Sequence, residues 1–342
     1  MTSIISKVAL VHVRDGRLLT ARSTGRQRCY LPGGKPEAGE DDAAALAREL
    51  HEELGVHVDP QSIRPWGRFS APADAQQSGT VVETSAFTAA FDGEPVASAE
   101  VTELAWLRPD ATDRMTPTMR AVVDDLLAKG FLRGERAVLF DLDDTLVATR
   151  EVKWEHHRFV AREHYGIELH DETLARHWGE PFGVMLGHLY RDAASTEEMI
   201  AANHASAHLY RKTPRPGAVE LVTQLLDSGV PVGVVTSTLS QPAAEDLARC
   251  GFPVERLFTV QGADRSPAHK PDPAVFDHAL AQLRCLGIRR VSYVGDAVMD
   301  ARAAAGAGLD FVAVTTGMDD AGAFGDVPVA DDISGVAQLL QP

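Results

Sequence analysis

Residues 137–146 read AVLFDLDDTL. Ala137 to Phe140 is an apolar run of the length expected for a strand buried on both faces, and it stops in a cluster of carboxylates. Pro231 to Val235 and Arg290 to Val294 are two more such runs, each ending in polar residues, and Phe311 to Val314 is a fourth. Helical stretches lie between them. Strand-helix alternation of this kind predicts a parallel, doubly wound sheet. Such sheets hold ligands at the carboxyl ends of their strands, which is where these polar residues fall. The interval from about 150 to 214 reads almost wholly helical, and predicts a helical insertion after the first strand.

The polar ends carry recognisable chemistry. Asp141 and Asp143 stand two apart just past a strand, so a turn can point both into one site. Two close carboxylates avoid ionising together unless a cation sits between them, which separates their roles. One can attack phosphorus while the other passes a proton. Thr236 and Ser237 place hydroxyls at the end of the second run. Lys270 stands before Pro271-Asp272-Pro273 in a chain with only six lysines, and its ammonium could neutralise both a nucleophile and a phosphoryl group. Asp296 and Asp300 follow the third run at i, i+4.

In this order the four motifs resemble the haloacid dehalogenase (HAD) superfamily over about residues 136–335. The helical insertion resembles a subfamily I cap, and Ala304 to Gly317 is similar to phosphoglycolate phosphatase-like members. The resemblance implies that Asp141 becomes an aspartyl-phosphate and that Asp143 is the general acid, then the base. It implies that Thr236 and Lys270 hold the phosphoryl group. It further implies that Asp141, the carbonyl of Asp143, Asp296 and Asp300 bind Mg²⁺. Trp178-Gly179-Glu180-Pro181-Phe182 stands where related caps present a specificity loop, and reads as cap core or as substrate-facing.

Upstream, Asp15-Gly16 between apolar runs signals a hairpin. Residues 31–39 form a Gly- and Pro-rich loop, and Asp41 to Leu54 has helical spacing ending at Gly55. Strand-like runs follow at Arg64 to Ser70, Thr80 to Phe91 and Glu103 to Leu107, and Thr118 to Lys129 reads as a closing helix. Glu49, Glu52 and Glu53 share one face of the first predicted helix, where three like charges repel unless a hard divalent cation neutralises them. From Gly34 to Val56 the spacing matches the Nudix box, Gx5Ex7REUxEExGU with U aliphatic, at every fixed position. The resemblance covers about residues 1–130 and implies hydrolysis of a nucleoside diphosphate linked to another group. It implies that Glu49, Glu52 and Glu53 are metal ligands, with Glu52 and Glu53 catalytic, that Arg48 and Glu40 orient helix and loop, and that Gly34 acts through its backbone. Glu100 or Glu103 could add a ligand or base. Arg26 and Arg28 read as surface arginines, with phosphate contact as the alternative, and His156 and His157 as surface or cap packing.

The chain is therefore expected to be α/β overall. Residues 1–129 would form an α+β Nudix fold with a mixed sheet between helices, 130–136 (GFLRGER) a polar linker, and 137–342 a doubly wound HAD core with a helical cap. The 342 residues carry 33 Lys and Arg against 49 Asp and Glu, a net charge of −16, and both halves are acidic. This disfavours nucleic acid polymers, including RNA 5′ ends, and anionic membranes as partners. Small phosphorylated metabolites or nucleotides remain, with Mg²⁺, or Mn²⁺ in its place, in both domains. No apolar run is long enough to span a bilayer, Met1 to Lys7 does not read as a signal peptide, and three scattered cysteines suit a reducing cytoplasm. The predicted function is a bifunctional hydrolase whose two reactions could run in series. Two other readings stay open: one domain senses ligand for the other, or the two act on unrelated substrates.

Overall fold

The computed structural model describes residues 3–74, 79–178, 180 and 182–340. The Asp15-Gly16 hairpin forms between strands Val13–Arg14 and Arg17–Ser23. Both turn residues have positive φ (51° and 68°), the backbone of a tight turn whose twist matches its strands. Strand Ser3–Leu10 pairs parallel with Thr80–Thr88, which pairs antiparallel with Arg64–Pro72. Arg17–Ser23 pairs antiparallel with Val101–Leu107, so the expected mixture of parallel and antiparallel pairing is present. The helix Asp42–Leu54 starts where the Asp41 side chain accepts from Ala44 N–H, and stops at Gly55 in the left-handed conformation. It buries Ala45, Leu46, Leu50 and Leu54 against Val8, Leu10 and Leu19.

The second half holds the parallel sheet. Strands Arg136–Phe140, Val232–Val235, Arg290–Gly295 and Asp310–Val314 occupy the four predicted runs. Two short strands escaped the sequence reading, Thr259–Gln261 and Val329–Ala330, and they extend the sheet to six strands, all parallel. Neither has a long enough apolar run to stand out. Helices Arg150–Tyr165, Asp171–His177, Phe182–Tyr190 and Thr196–Ser206 make the cap, around its own core of Val160, Leu174, Leu186, Leu189 and Tyr190. A two-stranded ribbon, Val147–Ala148 with Thr213–Pro214, joins cap to core. Among the described residues no helix is long and apolar enough to cross a membrane.

The passage 130–136 is polar only in its second half. Phe131 is fully buried and Leu132 nearly so, while Arg133 to Arg136 are exposed. Phe131 sits edge-on between Trp66 (5.5 Å) and Phe258 (5.8 Å), and one apolar cluster runs through both halves of the chain. Truncating Phe131 to Ala should cost about 3–5 kcal/mol. Because the ring serves both halves, urea unfolding of the variant should lower the midpoint of both together. Two separated transitions with only one shifted would show the halves to be independent.

The shared face lies at the amino ends of the parallel strands. Gly130 packs on Val230 and Pro231, Glu135 accepts from the backbone of Arg289 and Arg290, and Gly287 meets Val13. Asp141, Thr236 and Asp296 follow the opposite ends of the same strands, which at about 3.3 Å per residue are some 13–20 Å away. On the other side, the shared face meets the carboxyl end of helix Pro117–Ala128, whereas its amino end lines a cavity of its own. That helix is about 18 Å long. The two polar regions therefore face away from each other across the joint core.

Candidate functional site

The first region is a cavity of about 540 Å³ lined by Tyr30, Gly33, Gly34, Glu49, Glu53 and Glu100, with Arg26 and Arg28 at its wall. Glu53 is 3% exposed and accepts from Gly33 N–H at 2.8 Å and from the Tyr30 hydroxyl at 3.1 Å. Burial pushes its carboxyl up to about 7, against the pull of those two donors. Arg48 gathers the other carboxylates: Glu40 at 2.9 Å, Glu49 at 3.1 Å and Glu52 at 3.5 Å, together with the Lys35 carbonyl at 3.1 Å. The three glutamates share a helix face but do not converge as a cluster. Glu49 and Glu53 line the cavity, and Glu52 is half-exposed beside Arg48. Glu100 lines the cavity while Glu103 is held by Arg22 and Arg114. Arg28 is paired with Asp74 at 2.6 Å.

The loop glycines have distinct reasons to be glycine. A Cβ on Gly33 would lie 2.4 Å from the Val8 carbonyl at a φ of +131°, whereas the nearest atoms to one on Gly34 would be those of the Glu49 carboxylate, at 2.3 Å. Gly33→Ala should therefore destabilise the fold by about 2–4 kcal/mol. Gly34→Ala should fold, because a side-chain end can move, but should displace Glu49 and slow turnover at this site by about tenfold or more. Thermal melts beside rate assays separate the two. Equal loss of stability in both variants would refute the distinction.

The second region sits at the carboxyl ends of the parallel strands. Asp141, Asp296 and Asp300 offer carboxylate oxygens within 4.8 Å of one another. Lys270 Nζ bonds Asp141 at 2.6 Å and Asp300 at 2.7 Å, with all three side chains buried. Burial disfavours its ammonium, yet its neighbours outweigh that and hold it charged well above the ordinary range. Burial, helped by the Asp300 and Asp143 charges and opposed by Lys270, pushes Asp141 up to about 7. Burial, and then the charges of Asp141 and Asp300, pushes Asp296 up to about 8. One ammonium does not balance three clustered carboxylates, two of them buried and Asp296 partly so. A hard divalent cation fits this donor set, because it would supply the missing positive charge to oxygens already gathered. Gly317 closes over Asp296 so tightly that a Cβ there would overlap its carboxylate. Thr145 donates to Asp296 at 3.0 Å.

Thr236, Ser237 and Lys270 line one narrow crevice beside this cluster. Asp143 points elsewhere. It accepts from Thr149 at 2.5 Å, Lys212 at 2.6 Å and Thr238 at 2.7 Å. Burial works to raise its pKa, but Lys212 and the two hydroxyls win and hold it below its usual value. The sequence reading missed all three partners. Lys212 carries the signal that singled out Lys270, scarcity of lysine, but nothing local says what it reaches. His156 and His157 are buried in the cap, on Ser206 (2.9 Å) and Tyr190 (3.1 Å), and burial lowers both to about 4. They are cap packing. In the expected specificity loop, Gly179 and Pro181 lie outside the described residues. Trp178 packs edge-on against Trp154 in the cap core, and Phe182 is exposed.

The family model for haloacid dehalogenase-like hydrolases matches residues 138–314, more than half of the chain. The chain belongs to that family. The NUDIX domain model matches residues 5–126, so the HAD hydrolase carries a second hydrolase domain ahead of its core. Over 182 residues the HAD part is 29% identical to a protein of Caldanaerobacter subterraneus subsp. tengcongensis named provisionally as pyrophosphatase PpaX. That match covers 52% of this chain and 80% of the relative. A 31-residue stretch, 9% of this chain, is 68% identical to a Mycobacterium tuberculosis protein named provisionally as 8-oxo-dGTP diphosphatase 2, of which it covers 22%. A solved structure from Thermotoga maritima, named provisionally as a β-phosphoglucomutase, shares the HAD fold. Its TM-score is 0.53 at 24% identity, over 60% of this chain and 100% of that one. Both families are hydrolases that generally use divalent metal ions.

Proposed function

We propose that the chain is a bifunctional Mg²⁺-dependent hydrolase in which residues 1–129 split a nucleoside triphosphate or diphosphate-linked nucleoside. Residues 137–342 then hydrolyse a phosphorylated product. The observation that carries this is the coexistence of two separate polar sites, each with buried carboxylates, on one shared core. In the first, Glu49, Glu52 and Glu53 would hold the ion and Glu53, facing the cavity, would take a proton from the attacking water. In the second, Asp141, the Asp143 carbonyl, Asp296 and Asp300 would hold Mg²⁺. A bound divalent ion supplies charge neutralisation at the phosphate oxygens in both sites.

At the second site an Asp141 oxygen bonds phosphorus as the bond to the leaving oxygen breaks, and Asp143 gives that oxygen its proton. Asp143 then takes a proton from water as the water oxygen attacks the aspartyl-phosphate, releasing orthophosphate and free Asp141. Thr236, Ser237 and Lys270 hold the phosphoryl oxygens. The Lys212 pairing leaves Asp143 as a carboxylate, the form the second half-reaction needs. Proton donation in the first half requires Lys212 to withdraw. Lys212 immediately precedes the ribbon strand Thr213–Pro214 that joins the cap, so cap movement would accomplish this.

The product consumed at the second site is a monophosphate in this reading. Inorganic pyrophosphate is a second reading, favoured by the likeness to the relative named as a pyrophosphatase. Because the sites face away from each other, the intermediate would pass through solvent. An equimolar mixture of Asp141→Asn and Glu53→Gln chains should therefore restore orthophosphate release from the starting nucleotide. Chromatography of the Asp141→Asn reaction alone names the intermediate. If the mixture releases no more orthophosphate than either variant alone, reaction in series through solvent is wrong.

A further inference from the structure

We propose that the cap carries a second kind of metal site, a transition-metal site of the Zn²⁺ class formed by His177, Glu180 and His188. His177 closes the helix Asp171–His177, His188 lies on the helix Phe182–Tyr190, and Glu180 stands between them. His177 Nδ1 is 3.1 Å from one Glu180 oxygen, and His188 Nδ1 is 2.7 Å from the other. The two imidazoles are 4.4 Å apart, and all three donor atoms lie within 4.8 Å of one another. A tetrahedral Zn²⁺ takes imidazole nitrogen and carboxylate oxygen at about 2.0–2.2 Å. Small side-chain rotations would bring these three donors to that distance.

The donor set selects the metal. Two imidazoles and one carboxylate suit Zn²⁺, Co²⁺ or Ni²⁺, whereas Mg²⁺ wants oxygen ligands and keeps its waters. The site is thus chemically distinct from the all-carboxylate cluster at Asp141. It is also reachable, since His188 is about half exposed while His177 is mostly covered. Three protein ligands leave a coordination position open, as in sites that accept water or an anionic oxygen. The ion would pin the connection between two cap helices that otherwise meet mainly through packing around Leu174 and Leu186. Neither histidine takes part in the two hydrolytic sites, so the proposal does not depend on the hydrolase reading.

The test uses tag-free full-length protein, stripped by chelator and dialysed against Zn²⁺ with excess Mg²⁺ present. The wild type should retain one Zn²⁺ per chain that His188→Ala and His177→Ala each lose, while Asp141→Asn keeps it. Co²⁺ loaded in its place should give visible ligand-field absorption and quench Trp178 beside the site, and both signals should vanish in the histidine variants. Circular dichroism confirms that the variants are folded. Wild type that retains no Zn²⁺, equal retention in the histidine variants, or Zn²⁺ displaced by Mg²⁺ would each overturn the proposal.

Discussion

Replacing Asp141 by Asn is expected to reduce phosphate release at the HAD site by about 10⁴-fold or more, the scale seen when a covalent nucleophile is removed. The substitution keeps the shape and removes the attacking oxygen's charge. Lys270 retains Asp300 at 2.7 Å, so its ammonium is not left unpaired. The fold should survive and become less sensitive to pH. Burial raises the Asp141 carboxyl from 3.8 to about 7 in the folded chain. The folded state therefore holds a proton that the unfolded state has lost, and in metal-free buffer stability falls as pH rises through that window. The variant should lose less stability between pH 4 and 7 than the wild type. Cleavage at the Nudix site should continue, so a phosphorylated intermediate accumulates. Orthophosphate release within tenfold of wild type would remove Asp141 as the nucleophile.

Glu53→Gln is expected to lower Nudix turnover by about 10³-fold or more, the scale for losing a charged group that acts on the transition state in a dry site. The amide oxygen can still accept from Gly33 N–H, so the loop should hold its place. The wild type should show a matching acid limb. Burial holds Glu53 near 7, and below that pH its protonated form neither binds a cation nor accepts a proton. Nudix turnover should rise with pH through about 7, and this limb should be absent from the residual activity of the variant. HAD phosphatase turnover should be unchanged. A variant that keeps the acid limb would place the controlling group elsewhere, with Glu52 and Glu49 the next to exchange.

Several features were legible from residue order because they are local. Helix start and stop lie in Asp41 and Gly55, the tight hairpin in Asp15-Gly16, and the strand ends in the polar residues that follow short apolar runs. Motif spacing over tens of residues identified both families, since each motif sits on a single strand-loop or loop-helix unit. The gathering of Asp141, Asp296 and Asp300 was also implied, because parallel strands must bring their carboxyl ends to one edge, whereas the place of Lys270 beside them came only from the family resemblance.

What stayed hidden depends on contacts between residues far apart in the chain. Lys212 meets Asp143 across 69 positions, and no periodicity encodes that. The spreading of Glu49, Glu52 and Glu53 depends on where Arg48 and Gly33 fall in space. Phe131 looked like part of a polar linker because charged residues follow it at 133, 135 and 136. It is buried because Trp66 and Phe258, from opposite halves, close on it. That docking, at the amino ends of the parallel strands, turns the two sites away from each other. Local motifs along the chain named the two hydrolase families. The direction in which each site faces arises only when two separately patterned halves bury one apolar surface between them, and that surface is made of residues no single stretch contains.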